Sequence, residues 1–577
     1  MIDLLILLAF VAYALYAGFR ASGVASQDLQ QYFLAGRTIK GWRAGVSMAA
    51  TQFAADTPLL VMGLIATGGI FLLWQLWIYG LSFLAIGFIF SAKWRRAQVL
   101  TDAELTEIRY SGRGVTALRA FKALYYGTVI NCVVLAFVLT AALRIAEVFL
   151  PWHLWLPAGL YGWVEGLLAA AGLSLMSAAT GLPDSVATAN NVISLVLLLA
   201  FTAGYSTAGG LRGVVATDVA QFFLALGGTA LYAWMAVGEA GGLGELPERV
   251  VALYGEAKGT EMLHVLPPME AVWMSFLVII ALQWFFQMYS DGTGYLAQRA
   301  MGCRSNKDAR EAAVVFTWLQ VVLRSVIWVL IGVALLVVYP FDPAEVGTDG
   351  FKAAREVTFV TGIDELLPAG VRGLMLTGML AALASTVDTH LNWGASYWSN
   401  DIYKNLINAH WLKRAPKSRE LVLVARLANI LILVLALIVM SQLGSIQQGW
   451  KLSLMLGAGV GAVLVLRWIW ERINLWSEVA AIVASIVMGT ILLLTMPEPD
   501  AEWLRLSLMA LVSTAAAVGI TFVTPQTDPA VRELFYRRVR PVGFWRQTAV
   551  EIGDDPAKAP RRLAAALLAV AITGLSV

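Results

Sequence analysis

Cysteine is nearly absent: Cys132 in an apolar run and Cys303 in a basic loop are the two copies in a chain of 577 residues. This supports neither a disulfide framework nor a thiolate metal site. Histidine is scarce as well, since His153, His264, His390 and His410 are scattered without ligand spacing, and no glycine-rich loop ending in Lys-Ser or Lys-Thr is there to cradle a nucleotide phosphate. Redox chemistry and ATP-driven work are set aside, so energy for any transport has to come from a gradient. Charge is the third shortage. Asp, Glu, Lys and Arg make up 14% of the chain against 59% apolar residues, a balance foreign to soluble globular domains. The composition is that of an all-α polytopic membrane protein.

A bilayer core of about 30 Å needs roughly 20 apolar residues per helix. The first run, Leu4 to Tyr16, follows Asp3 rather than a basic residue and reads as a retained span over 1–20, not a leader. Further spans are expected near 44–71, 72–92, 120–150, 186–206 and 214–238, and again near 271–298, 312–339, 369–399, 421–443 and 446–468. Two more, near 474–495 and 503–524, bring the total to about 13. The apolar but interrupted stretch 154–175 is not counted, and reads as an extracellular hairpin or a re-entrant segment. Residues 525–577 form a basic cytoplasmic tail in which Phe535, Tyr536, Phe544 and Trp545 suit a helix on the membrane surface, ending in an apolar segment, 563–577.

Basic residues give the orientation, because cytoplasmic loops carry the excess of Lys and Arg. With the N-terminus outside, only Arg144, Arg249, Lys258, Lys352, Arg355 and Arg372 of the 41 fall in outer loops. The protein is thus expected in the cell membrane with a cytoplasmic C-terminal tail. Trp74, Trp77, Trp152 and Trp155 are expected as an outer interfacial belt.

Two spans are interrupted. Asp56 stands in the apolar run Trp42 to Leu73, two positions before Pro58. A carboxylate at mid-bilayer costs about 2.5 to 3.5 kcal/mol and faces a cavity, a partner or an ion path. Proline removes a donor and obstructs the preceding turn, which frees backbone oxygens. The span 271–298 is broken at Ser290, Asp291, Gly292, Thr293 and Gly294. Each break opens a block of five spans, 44–238 and 271–468, and an odd number of crossings gives the blocks opposite orientations, as in an inverted repeat. A binding site near the midplane, between the two interruptions, is expected.

Local patterns in a set order carry a family resemblance: YFLAGRTIKGW, ATQFAADTPLLVMG, YSTAGGLRGVVATDVAQ, YLAQRAMGCRSNKDA, ALASTVDTHLNWGASYWSNDIYK and LRWIWERINLWSE. Over roughly residues 30–475 the chain resembles the sodium:solute symporter family, whose core has the LeuT-type fold of two inverted five-helix repeats. The resemblance implies that fold, with one extra N-terminal span and at least two C-terminal ones (474–524). It implies Na+ as coupling ion, a small organic solute as cargo and membrane lipid as surroundings, with no nucleic acid and no enzymatic activity.

The resemblance also implies a sodium site between the first and eighth core helices. Ala50 and Phe53 match the carbonyl donors of the first. Ala382, Ser385 and Thr386 match the ligands of the eighth, where their i, i+3, i+4 spacing shares one face. Hydroxyl and carbonyl oxygens suit a hard monovalent cation. The plain alternative for the hydroxyls is back-bonding within the helix. Asp218, Asp388 and Thr389 resemble a second cation or proton site of some relatives, although Asp388 stands where a hydroxyl is expected. Two carboxylates there tighten a cation site, share a proton, or never meet, and the competing view pairs Asp388 with His390 or Arg324.

For the solute, the expected lining beside the breaks is Asp56, Thr57, Gln287, Tyr289, Ser290 and Gln320. Asp56 resembles an acidic or polar position near the substrate in sugar-transporting relatives, and Tyr289 an aromatic that covers it from inside. Asp56 and Asp291 favour a polyhydroxylated or cationic solute over a carboxylate. The reading is a sodium-coupled importer working by alternating access. The alternatives are a proton-coupled or sensory member of the fold and, further off, a membrane-embedded enzyme using Asp56, Asp388 and His390.

Overall fold

The structure, a computed structural model, describes residues 2–25, 27–175, 182–266, 273–286, 288–348, 350–496 and 502–577. Among these residues ten helices are long and apolar enough to cross a membrane, and two bent helix pairs raise the number to 12. β-Bridges among the described residues are limited to the isolated pairs Ile39 with Cys303 and Trp470 with Phe544.

The first interruption follows from residues 53 to 58. Helix Gly41–Gln52 stops as Phe53 turns to ψ 46°, and helix Asp56–Gly68 departs at 56°. Pro58 falls in the first turn of the new helix, where a missing N–H leaves no helical bond unmade. In the second interruption, Gly292 (φ 90°) and Gly294 (φ 96°) hold backbone angles that side chains resist, between Trp284–Phe286 and Tyr295–Gly302. Residues 271, 272 and 287 of the expected span 271–298 lie outside the described residues.

A third bend has no counterpart in the sequence reading. The expected straight span 446–468 is the pair Ile446–Ala458 and Gly461–Ile469, bent by 42°. Gly457, Gly459 and Gly461 weaken the helix there. A Cβ on Gly459 would approach Ser513 Oγ to 2.6 Å, so the bend also brings backbone onto a neighbouring helix. Helices Trp152–Trp155 and Ala158–Ala170 occupy the uncounted segment 154–175, and neither is a spanning helix.

Several charges inside the bundle are paired, which offsets the cost of a low-dielectric interior. Glu356 accepts from the backbone N–H groups of Ile446 (3.2 Å) and Gln447 (3.1 Å) and from Arg144. Lys122 and Arg467 share Glu478 at 2.8 and 3.1 Å.

The tail is docked rather than spread on a surface. Helices Pro529–Val539, Arg546–Glu551 and Lys558–Gly574 follow the last span, and the buried indole of Trp545 stacks on Phe535 at 5.5 Å and donates to the Trp468 carbonyl at 3.0 Å. Glu471 accepts from the N–H groups of Gln547 and Thr548, both at 2.9 Å. Of the aromatic residues expected at lipid, Phe535 and Trp545 instead flank the guanidinium of Arg109 at 5.4 and 4.9 Å, Tyr536 is buried beside Trp545, and Phe544 is exposed. Cation–aromatic attraction and burial outweigh the surface alternative.

Candidate functional site

The break of the first helix faces helix Val371–Ser396, which is buried along most of its length. On that helix Thr386 turns to the break: its Oγ1 lies 3.0 Å from the Thr51 carbonyl oxygen and back-bonds at 2.9 Å to that of Ala382, while Ser385 turns to Asp218. Ala50 lies in the last turn of Gly41–Gln52 and Phe53 just past its end, both buried. One hydroxyl and two backbone carbonyls thus meet at the break, oxygen groups of the kind a hard monovalent cation takes.

Beside it lies a second polar knot. Ser385 Oγ and Ser47 Oγ each donate at 2.5 Å to separate oxygens of Asp218. Arg299 stands 3.9 Å from Asp218 and donates at 2.7 Å to Thr389 Oγ1, itself 3.3 Å from Thr51 Oγ1. Asp218 and Thr389 are therefore joined through an internal cation. His390 turns its Nδ1 to Asn131 at 2.6 Å, and Arg324 donates to the Gln52 carbonyl.

A cavity of 170 Å³ opens next to the break. Asp56, Thr57, Tyr289, Ser290 and Gln320 line it as expected. Gln287 lies outside the described residues. The lining also takes in Thr51 and Thr386, so the hydroxyl-and-carbonyl cluster and the cavity share a wall. Gln52, Tyr295, Arg324 and His390 belong to the lining too, and the sequence reading did not place them there. Gln52 donates through Nε2 to the Tyr295 hydroxyl and accepts from Gln320 at 3.4 Å, which ties the first break to the second. An arginine inside a span was the available signal for Arg324. Trp77, expected in the outer belt, lines the cavity as well, while Trp74 donates to the Val265 carbonyl at 2.9 Å.

Asp291 corrects an expectation about the solute. Its carboxylate accepts from Arg467 (2.7 Å), the Trp468 indole (2.7 Å) and Thr293, and its carbonyl accepts from Trp94 (2.7 Å). It fastens the second break and contributes no charge to the cavity.

Broken helices meeting around a buried polar cavity, in a bundle of membrane-crossing helices, define a secondary carrier of LeuT-like architecture. Comparison with known proteins specifies which kind. The profile of the sodium:solute symporter family matches residues 32–154 and 167–489, and the chain belongs to that family. It is a sodium-coupled symporter of a small solute. A sodium/glucose cotransporter of Vibrio parahaemolyticus is 25% identical over 505 residues, covering 84% of each chain. A sodium/myo-inositol cotransporter 2 of Bos taurus is 22% identical, covering 85% of this chain and 70% of its own. A solved Na+-coupled sialic acid symporter, captured substrate-bound and outward-open, superimposes with a TM-score of 0.66 at 20% identity, over 92% of this chain and 99% of its own.

Proposed function

We propose that this protein imports a polyhydroxylated solute of the sugar and polyol class across the cell membrane, driven by sodium bound at Ala50, Phe53, Ala382, Ser385 and Thr386. The observation that carries the reading is the shared wall: Thr51 and Thr386 belong both to the oxygen cluster and to the cavity lining. An ion seated on that wall draws the broken helix toward Val371–Ser396 and completes the solute pocket. Binding of either ligand then favours the other, a reciprocal coupling of about 1 to 3 kcal/mol.

Asp56, Thr57, Gln287, Tyr289, Ser290 and Gln320 would contact the solute, with Gln52 alongside. Acceptors, donors and hydroxyls on the walls suit a molecule rich in hydroxyl groups, and the relatives named for glucose and myo-inositol support that class. The N-terminus lies outside and the tail inside. Rocking of the blocks 44–238 and 271–468 against one another exposes the site alternately, and each positive charge carried down a 100 mV potential releases about 2.3 kcal/mol.

Uptake of labelled glucose, mannose and myo-inositol into proteoliposomes tests this, with external sodium replaced by choline at fixed pH. Accumulation of at least one that collapses in choline is expected. Uptake indifferent to the replacement would assign the drive to protons, and the absence of any polyol uptake would refute the solute class.

A further inference from the structure

Two charged side chains line the cavity, Asp56 and Arg324, and they do not pair with each other: no ion pair within 4.0 Å joins them. Both are buried, at 5% and 4% exposure. Asp56 Oδ1 has no hydrogen-bond partner, and its other carboxylate oxygen has only the Thr57 hydroxyl at 3.5 Å. Arg324 spends one amino group on the Gln52 carbonyl and lays its guanidinium 4.2 Å from the centre of the Trp328 ring, while its Nε has no partner. The other acid of the breaks, Asp291, is fully engaged by Arg467, Trp468 and Thr293. Gln52 and Gln320 add neutral groups to the same lining.

A buried charge with unused bonding capacity is costly, and a carboxylate and a guanidinium that line one cavity without touching can both be satisfied by a molecule seated between them. That something must offer donors to one and acceptors to the other. A hydroxyl does both, so neighbouring hydroxyls of one solute can give hydrogens to Asp56 and lone pairs to Arg324. A solute carrying net charge meets one favourable wall and one repulsive wall. Resting on the polyol reading above, we propose that Asp56 and Arg324 act as a split charge pair that selects net-neutral polyols and excludes their anionic and cationic analogues, with Arg324 a specificity-determining residue.

The Arg324 contact with Gln52 admits a purely structural role, namely capping the broken helix. Charge selectivity separates the two, because a cap has no effect on which charge the solute bears. Full-length protein is titrated in sodium with glucose, glucosamine in its ammonium form and glucuronate, with the mannose series alongside, and binding is followed by thermal shift and calorimetry. Wild type is expected to bind the neutral sugar at least about tenfold more tightly than either charged analogue, the scale on which an unpaired buried polar group discriminates.

Arg324→Gln is expected to move the preference at least about tenfold toward the amino sugar, and Asp56→Asn toward the uronate. The double variant returns it to the neutral sugar, and Arg324→Lys keeps the wild-type order. Arg324→Gln or Asp56→Asn protein that still shows the wild-type sodium-induced thermal shift but retains the wild-type charge order would overturn the inference. Should Arg324→Gln fail to fold, Asp56→Asn decides it by the same criterion, and a folded Arg324→Lys protein that loses the wild-type order would overturn it as well. Wild type that binds none of the sugars refutes the polyol reading itself, a result distinct from wild type that binds them and variants that do not shift.

Discussion

Thr386→Val removes one hydroxyl and keeps the shape of the side chain, which makes it the sharpest probe of the proposed sodium site. In the structure that hydroxyl oxygen lies 3.0 Å from the Thr51 carbonyl and 2.9 Å from the Ala382 carbonyl. Its loss forfeits a neutral hydrogen bond worth about 0.5 to 1.5 kcal/mol and leaves a buried carbonyl less satisfied. It also removes one oxygen from the proposed ligand set. Taking about 2 kcal/mol as the combined loss to the sodium-bound state, the sodium concentration for half-maximal uptake rises about 30-fold. Through reciprocal coupling, apparent solute affinity at fixed sodium falls as well. Ser385→Ala is less clean, because the Ser385 hydroxyl donates at 2.5 Å to the buried carboxylate of Asp218, and a bond to a charged group is worth about 1.5 to 3 kcal/mol of fold stability. The assay is sodium-dependent uptake in proteoliposomes across a sodium series, with the melting temperature in choline as the control for folding. An unchanged sodium requirement in a Thr386→Val protein that melts like wild type would refute the site.

Three further outcomes follow from the buried polar contacts and the tail. Glu356→Gln keeps the shape but leaves Arg144 without its carboxylate, so a loss of about 3 kcal/mol or more is expected, read as a lowered melting temperature in detergent. Asp291→Asn leaves Arg467 only the Glu478 carboxylate it shares with Lys122 and weakens the anchor of the second break; a loss of about 1.5 to 3 kcal/mol is expected, and tighter solute binding would contradict the assignment of Asp291 to structure. Gly543→Ala places a Cβ 2.6 Å from the Ile469 carbonyl oxygen at a φ of 87°, a strain of about 1 to 3 kcal/mol. Faster proteolysis of the tail than in wild type is the expected readout.

Some of this was legible along the chain. Pro58 beside Asp56, and Gly292 with Gly294 beside Asp291, are local breakers, and a break in a helix is decided mainly by the residues at it. The face shared by Ala382, Ser385 and Thr386 follows from helical period alone. The bend at Gly457 to Gly461 had a similar local signal, but glycines are common in membrane helices, and nothing nearby distinguished a packing contact from a kink.

Composition, period and breakers therefore settled that the chain is a many-helix membrane protein with interrupted spans, because those properties depend on neighbours a few residues apart. Partnership was decided only in three dimensions. Asp56 and Asp291 are the same kind of residue in the same kind of break, yet Arg467 and Trp468, 176 and 177 positions onward, neutralise one and leave the other facing the cavity. The same holds for Arg324, whose contacts are with Gln52 and Trp328, and for Phe535 and Trp545 of the tail, which pack against Arg109. Buried charges take whichever partner the packing brings within a few ångströms, and that distance is a property of the folded chain.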